Sequence, residues 1–235
     1  MPQSLHADAA PAADAHGLRA CETIDPPLPR PCTTEPPAIM SCASPQPHPT
    51  LIIVAAGSGT RFLASGGGTH KLQALLDGVS VLDRSVQNAE QSGLPWHLVR
   101  QGEGGAGMGD SIAAGVRATP DANGWLIVPA DLPLIRPATL MRVALQLGQG
   151  THEIVMPFFD GQQGHPVAFS RHCLDALRQL QGDKGAASIV REARAQGQVL
   201  DLPIDDDEGI VTDIDTVQDL ARAQVLLLRA RHADI

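Results

Sequence analysis

The chain has 235 residues, enough for one domain of ordinary size and an appendage. Aromatic residues make up only 3% of the chain and its formal net charge is −9, which argues against nucleic-acid binding by stacked aromatics or a basic surface. No stretch approaches the roughly 20 apolar residues of a membrane span, and the N-terminus does not resemble a secretion signal. These features predict a cytoplasmic protein that binds neither nucleic acid nor membrane.

Residues 1–49 differ in composition from the rest of the chain. Pro, Ala, Ser and Thr dominate there without apolar periodicity, and such a segment buries too little to offset the entropy of ordering. We therefore predict a disordered, Pro-rich tail over residues 1–49 and one domain over residues 50–235. Three of the four cysteines lie in the tail without a C-x-x-C pair, so reduced and unpaired thiols are expected. Met40 could be the true translational start, which N-terminal sequencing would test.

From Thr50 onward, apolar runs alternate with helical patterns. The runs at 51–56 and 125–128 are continuous, as in strands buried on both faces of a parallel sheet. Shorter strands are predicted at 96–99, 153–156, 166–169 and 198–202, and helices at 81–91, 110–118, 138–147, 174–180, 186–195 and 217–231. The alternation predicts an α/β fold of the Rossmann-like, three-layer kind with a mostly parallel, twisted sheet. Ligands of such sheets bind beyond the carboxyl ends of the strands.

The first apolar run leads into a glycine-rich loop, and Arg61 and Lys71 follow it. Glycines let the backbone approach a phosphate, and successive amides of such a loop can form an anion nest. The candidate loop residues are Ala55, Ala56, Gly57, Ser58 and Gly59. Arg61 and Lys71 would add cationic donors for a triphosphate, although a plain connecting loop with two surface cations explains the spacing equally well. A P-loop is excluded because G-K-[ST] is absent.

A second glycine-containing segment precedes the helix predicted at 110–118. Gly107 and Gly109 stand before it, and Ser111 lies near its N-terminus, where amides and a hydroxyl suit a base or phosphate. Capping of the helix by Asp110 or Ser111 is the alternative. A serine-hydrolase elbow is disfavoured because Ala113 stands where G-x-S-x-G requires glycine, and because the segment does not follow a strand.

Aspartates at two distant places are candidates for a magnesium site. Asp131 follows the run at 125–128, where an unpaired carboxylate would be costly. Magnesium prefers a few carboxylates together with phosphate oxygens. Helix capping is the alternative for Asp131. Asp213 and Asp215 alternate, so they would share one face of an extended segment, and a solvated acidic surface is the alternative for this pair. Asp219 is expected to support the first turn of the last helix, and residues 205–208 to form a solvated turn.

Five separated motifs together resemble the molybdenum cofactor nucleotidyltransferases, a MobA-like family, and especially their cytidylyltransferase branch. The motifs are L-x-x-x-A-A-G-x-G-x-R-F from Leu51, G-M-x-x-S-I-x-x-G from Gly107, P-A-D-L-P from Pro129, G-H-P-x-x-F from Gly164 and D-I-D-T-x-x-D-L from Asp213. The resemblance spans about residues 51–225 and implies the nucleotidyltransferase form of the α/β fold.

The resemblance implies a reaction and assigns roles to residues. The protein would transfer CMP from CTP to the phosphate of a molybdopterin-type acceptor with Mg²⁺ as cofactor, and would release pyrophosphate. A molybdoenzyme or its chaperone would receive the product. Arg61 and Lys71 would be catalytic, and Asp131 and Asp215 would bind the metal. The glycine-rich loop together with Gly107 and Ser111 would bind the nucleotide, and His165 and Asp183 would bind the acceptor.

Two departures from the family pattern leave alternatives open. The gap between Arg61 and Lys71 is longer than usual, and Ala187 replaces an arginine that would have contacted the acceptor, a loss that Lys184 could compensate. A sugar or polyol phosphate is the rival acceptor, GTP is the rival donor, and a non-catalytic chaperone that carries the cofactor is the rival function. The Ala-Ala-Gly form of the first loop favours CTP.

Overall fold

The computed structural model describes residues 48–105 and 107–233, so the predicted tail lies outside the described residues up to position 47. Nine strands occur in this part of the chain: β1 (Thr50–Ala55), β2 (Leu75–Leu76), β3 (Val79–Ser80), β4 (Trp96–Arg100), β5 (Gly124–Pro129), β6 (Ile154–Phe159), β7 (Gln162–Gln163), β8 (Val167–Ser170) and β9 (Val199–Pro203).

Seven α-helices occur in the same described ranges, and short 3₁₀ turns join several of the elements. The helices are α1 (Thr60–Ala64), α2 (Val81–Gln91), α3 (Met108–Ala118), α4 (Pro137–Gly148), α5 (Leu174–Arg178), α6 (Ala187–Ala195) and α7 (Val217–Ala233). The predicted helices are all present, with ends that differ by a few residues at most. The sequence did not predict α1, β7 or the β2–β3 hairpin, which are five residues or fewer per element.

The main sheet has seven strands in the order β4-β1-β5-β8-β6-β7, with β9 on the free side of β6. Strand β1 is parallel to both β4 and β5, and β9 is parallel to β6. Strand β8 lies antiparallel between β5 and β6. The predicted mostly parallel sheet is therefore confirmed, with β8 and the short β7 as reversed strands.

The sheet separates two apolar cores, which gives the three layers that the sequence predicted. Alternate residues of β1 and β5 serve the two sides, because successive side chains of a strand point to opposite faces. One core contains Leu51 and Ile53 and packs against α2, α4 and α7. The other contains Ile52 and Val54 and packs against α3, α5 and α6. Because both faces of these strands are buried, their sequences are continuously apolar.

Asp207 corrects the expectation of a solvated turn over residues 205–208. Its carboxylate is buried and accepts hydrogen bonds from the Arg136 amide at 2.9 Å, the Thr139 hydroxyl at 2.6 Å and the Gly209 amide at 3.1 Å. Arg136 directly precedes α4, so the carboxylate satisfies polar groups at the start of that helix, where negative charge is favourable. Asp205 and Asp206 are exposed as predicted, with the Asp206 side chain at 65% exposure.

No helix in the described part of the chain combines the length and the apolar character needed to cross a membrane.

Candidate functional site

The glycine-rich loop and Asp131 lie at the same edge of the sheet. Strands β1 and β5 are parallel neighbours with Val54 opposite Pro129, so the residues that follow the two strands emerge side by side. Gly57 and Ser58 are exposed there. Ligands of such sheets bind beyond the carboxyl ends of parallel strands, and these two segments line that position.

Lys71 joins two aspartates that are far away in sequence. Its ammonium donates to Asp131 Oδ2 at 2.6 Å and to Asp215 Oδ1 at 2.7 Å. The other oxygen of Asp215 is paired with Arg61 at 2.5 Å. The Lys71 side chain is 9% exposed and the two aspartates 17% and 16%, whereas Arg61 is 76% exposed. The four residues predicted for catalysis and metal binding therefore form one compact ion network, with Arg61 on its open side.

Backbone contacts hold Asp215 beside Asp131. The amide of Ile214 donates to the carbonyl of Asp131 at 3.0 Å, which draws the segment before α7 onto the end of β5. Asp219 accepts from the Thr216 amide at 2.7 Å, and the Asp219 amide lies 3.2 Å from the Thr216 hydroxyl. This reciprocal pair is a capping box, so the predicted support of the last helix by Asp219 is confirmed.

Charge in the network shifts two pKa values. Burial lowers the pKa of Lys71, but hydrogen bonds and attraction from Asp131 and Asp215 outweigh it, so the pKa is raised overall and the side chain is a cation at neutral pH. Burial and the nearby carboxylates Asp215, Asp131 and Asp219 raise the pKa of Asp213. Asp213 makes none of the Lys71 contacts, so Asp215 is the member of the alternating pair that joins the site.

His70 is a member of the site that the sequence did not predict. Its ring lies between the glycine-rich loop and Lys71: Nε2 is 3.0 Å from the Gly57 carbonyl oxygen, and Nδ1 accepts from the Leu72 amide at 3.3 Å. The adjacent Lys71 begins a 3₁₀ turn, Lys71–Gln73, that His70 caps. The signal for His70 in the sequence is a polar residue directly before this short turn. It lies in the long gap between Arg61 and Lys71, where the family pattern gives no residue to match.

The segment around Gly107 is packed against a neighbouring turn. A Cβ on Gly107 would lie 2.2 Å from the Gly182 carbonyl, so the two backbones touch. Ser111 is fully buried, and its hydroxyl donates to the Gly107 carbonyl at 3.0 Å. Asp110 accepts from the Gly107 amide at 3.1 Å. Of the two capping residues that the sequence left open, Asp110 therefore caps the start of α3, whereas the Ser111 hydroxyl donates within its own helix and caps no amide.

A cavity of about 450 Å³ opens beside the end of β5 and contains His165 in its lining. The imidazole Nδ1 is buried without a hydrogen-bond partner in the described structure. Burial lowers the pKa of His165 despite a backbone hydrogen bond to Ile127 and the attraction of Asp131, so the ring is neutral at pH 7. The remaining lining is Met108, Ile112, Ile127, Pro129, Gln163, Val167, Phe169, Lys184, Gly185, Ala186, Ala187, Val190, Arg191 and Arg194.

Asp183 lies apart from this cavity. It is an exposed residue of the turn Gly182–Lys184 and does not belong to the cavity lining, whereas its neighbour Lys184 does. The structure therefore places His165 and Lys184 together and leaves Asp183 on the outside of the same turn. Ala187, which stands in place of the expected arginine, also lines the cavity, and Arg191 lies one helical turn further on.

The comparison with known families agrees with this geometry. Residues 51–199, more than half of the chain, match the family of MobA-like NTP transferase domains. The chain belongs to this family. The chain is 30% identical over 184 residues to a relative, the 2-C-methyl-D-erythritol 4-phosphate cytidylyltransferase of Nocardia farcinica (strain IFM 10152). The match covers 68% of this chain and 78% of the relative.

Solved structures share the MobA-like fold. Rv0371c from Mycobacterium tuberculosis H37Rv, in a complex with manganese, aligns with a TM-score of 0.55 and 24% identity over 75% of this chain and 97% of that one. Molybdopterin-guanine dinucleotide biosynthesis protein A from Archaeoglobus fulgidus aligns with a TM-score of 0.54 and 15% identity over 77% of this chain and 99% of that one. These likenesses show that the chain has the same α/β fold, while its membership of the MobA-like NTP transferase family rests on the match over residues 51–199.

Proposed function

We propose that this MobA-like protein transfers CMP from CTP to the phosphate of a molybdopterin-type acceptor. The observation that carries the proposal is the meeting of Arg61, Lys71, Asp131 and Asp215 beside an exposed glycine-rich loop at the carboxyl ends of β1 and β5. Two cations and two carboxylates at such an edge suit a triphosphate and its counterion better than they suit a neutral substrate.

The carboxylates fit a magnesium ion that the nucleotide completes. Asp131 and Asp215 each place one oxygen within 2.7 Å of the same ammonium, so they converge on a single cation position. The described residues contain no group of three or more His, Cys, Asp or Glu that could hold a metal by itself. Mg²⁺ usually takes one or two carboxylates plus phosphate oxygens. Asp131 and Asp215 would hold it, and it would supply neutralisation of charge at the reacting phosphorus.

The residues of the chain would act mainly by positioning and by charge. An oxygen of the acceptor phosphate forms a bond to the α-phosphorus, the bond from that phosphorus to the α,β-bridging oxygen breaks, and pyrophosphate leaves with the electron pair. Lys71 and Arg61 would bind the triphosphate oxygens, and Arg61, at the start of α1, lies on the solvent side of the network with 76% of its side chain exposed. An ionised phosphate nucleophile needs no general base, so electrostatic stabilisation and alignment carry the reaction.

The cavity beside β5 supports an acceptor that has a negative charge and a body that packs on apolar walls. Most of its walls are apolar, through Ile112, Val167 and Phe169 among others, and its lining contains no Asp or Glu. Lys184 and Arg191 contribute cations there, whereas Arg194 is held by Asp201 at 2.6 Å. A polyol would leave many hydroxyls without partners against such walls, at a cost for each.

A polyol phosphate is nevertheless the second candidate acceptor. The cytidylyltransferase relative from Nocardia farcinica is named for 2-C-methyl-D-erythritol 4-phosphate, and its 30% identity favours CTP as donor without favouring the pterin. Parallel assays with CTP and GTP against molybdopterin and 2-C-methyl-D-erythritol 4-phosphate distinguish the possibilities. Pyrophosphate release with the pterin and CTP alone supports the proposal, and release only with the polyol phosphate replaces the acceptor.

Two variants test the assigned residues in the same assay. Asp131→Ala should abolish pyrophosphate release, while Asp206→Ala, an exposed aspartate outside the network, should leave it unchanged. Arg191→Ala should raise KM for the acceptor about 10-fold, the size expected for one charge-assisted contact, with KM for CTP unaffected. If wild-type protein binds the cofactor tightly but releases no pyrophosphate with any triphosphate, the protein is a carrier and the catalytic proposal is wrong.

We further propose that residues 1–49 form a disordered tail before a domain over 50–235, and that the protein works in the cytoplasm. The buried free thiol of Cys173 suits a reducing compartment. Limited proteolysis should remove the tail and leave a stable domain, and cell fractionation should recover the protein with soluble markers. A protease-resistant N-terminus would contradict the first proposal, and recovery outside the cytoplasmic fraction would contradict the second.

A further inference from the structure

The His70 ring bonds to two separate pieces of backbone. Because Nδ1 accepts from the Leu72 amide at 3.3 Å, the ring hydrogen lies on Nε2, which donates to the Gly57 carbonyl at 3.0 Å. Gly57 belongs to the loop after β1, and Leu72 belongs to the turn that begins with Lys71. The ring thus connects the two segments that the proposed function assigns to the triphosphate.

The same ring also packs on Gly59. A Cβ at that position would lie 2.9 Å from His70 Cδ2 and 3.0 Å from Nε2, and the Gly59 φ of +66° lies in the left-handed region. Glycine is therefore required at position 59 for two reasons: the backbone is left-handed there, and a side chain would collide with the His70 ring. The ring packs over Gly59, which is buried, and leaves Gly57 and Ser58 exposed.

The insertion that carries His70 is anchored before it reaches the ring. Phe62 is buried in the core at 2% exposure. Ser65 donates to the Phe62 carbonyl at 2.8 Å and accepts from the Val217 amide, at the start of α7, at 3.0 Å. The extra residues between Arg61 and Lys71 are thus fixed to the helix that follows Asp215, and His70 projects from a supported segment.

We propose that His70 is a positioning residue for the nucleotide: it holds the glycine-rich loop in register with Lys71 before the triphosphate binds. This inference rests on the proposed function. A loop of glycines loses much conformational entropy when it closes on a ligand, and ordering it in advance removes that cost from binding. The bond from Nε2 also fixes the Gly57 carbonyl oxygen toward the ring, so that this partial negative charge does not face phosphate oxygens.

Three substitutions separate the two contacts of the ring. His70→Asn keeps an acceptor near the Nδ1 position for the Leu72 amide and removes the donor to Gly57. His70→Gln keeps a donor near the Nε2 position and removes the acceptor, and His70→Ala removes both. His172→Asn, at a histidine with 81% side-chain exposure, is the matched control.

The expected result is a selective loss of nucleotide affinity. With Mg²⁺ present, His70→Asn and His70→Ala should bind CTP about 5- to 10-fold more weakly by isothermal titration calorimetry, as the loss of one net hydrogen bond would give. Their KM for CTP should rise by the same factor, with kcat and KM for the acceptor within twofold of wild type. His70→Gln should restore most of the affinity, and His172→Asn should match wild type.

Other outcomes overturn the inference and can be told from failure of the proposed function. If the wild-type protein itself binds CTP and GTP poorly, the proposed function is wrong, and the positioning role of His70 is then wrong too. If wild type binds CTP but His70→Asn binds it equally well, only the positioning role is wrong. A uniform loss of folding, seen as a lower melting temperature in His70→Asn with kcat and both KM values altered together, would make His70 a structural residue and would also overturn the inference.

A double-mutant cycle provides a measurement that does not depend on turnover. Gly59→Ala should weaken CTP binding strongly in the wild-type background because the new methyl group meets the ring. In the His70→Ala background the ring is gone and only the backbone strain remains, so the additional loss should be several-fold smaller. Equal losses in the two backgrounds would mean that the ring and Gly59 do not act together, which contradicts the proposed contact.

Discussion

Lys71→Met is expected to destabilise the fold as well as to impair nucleotide binding. The ammonium is 9% exposed and is the shared partner of Asp131 and Asp215, which are 17% and 16% exposed. Removing one partner of a buried ion pair costs about 3–5 kcal/mol, because the remaining charge is left unpaired. Arg61 still pairs with Asp215, and both carboxylates retain some solvent contact, so a loss of about 2–4 kcal/mol is expected.

Thermal unfolding measures this loss directly. In a domain of this size 1 kcal/mol corresponds to roughly 2–4 °C, so the expected loss should lower Tm by about 4–16 °C in Lys71→Met. Because the pKa of Lys71 is raised, its stabilising charge is fully present below the ordinary lysine value of 10.5 and is lost only as pH rises through the higher folded value. The deficit should therefore be equal at pH 6.5 and pH 8.5.

Two comparisons complete the experiment. Lys184→Met, at an exposed lysine outside the network, should leave Tm within about 1 °C of wild type, as for most surface substitutions. Adding Asp131→Asn to Lys71→Met should recover part of the loss, because it removes the carboxylate charge that the missing ammonium leaves unpaired. A Tm for Lys71→Met within 1 °C of wild type would refute the idea that the two carboxylates depend on this ammonium.

Three further predictions concern positions outside the reacting groups. Asp207→Ala should lower the free energy of unfolding by about 2–3 kcal/mol, because it leaves buried donors at the start of α4 unpaired. The control Asp206→Ala should change it by less than about 0.5 kcal/mol. Urea unfolding measures both values. Gly115→Ala should destabilise the folded domain by about 1–3 kcal/mol, because its methyl group would lie 2.6 Å from Ile52. Gly148→Ala, with open space around it, should not destabilise the domain. Equal effects of the two substitutions would contradict the packing around Gly115. Burial raises the pKa of the Cys173 thiol to about 11. In a variant without the tail cysteines, this thiol should therefore react with a disulfide reagent at pH 8 only after unfolding. Rapid labelling of the native protein would contradict the burial of Cys173.

The sequence alone determined the longer helices and strands, together with the glycine-rich loop and Asp131 of the site. Strand β1 reads as a continuous apolar run because both of its faces are buried, and such a signal is local. The loop at Gly57 and the aspartate at 131 could be placed at one sheet edge because they directly follow two such runs. The roles of Asp215 and His165 came from resemblance to a family, since nothing in their own spacing distinguishes them from surface or structural residues.

Tertiary structure alone decided how these pieces meet. Lys71 lies 60 residues from Asp131 and 144 from Asp215, and their contact depends on strand order and on the backbone bond that draws the last segment onto β5. The burial of Asp207 likewise depends on Arg136 and Thr139, which lie 71 and 68 residues away in sequence. Periodicities of 2 and 3.6 residues record which face of an element is buried. They carry no information on which elements become neighbours, so side-chain partners across the fold remained beyond them.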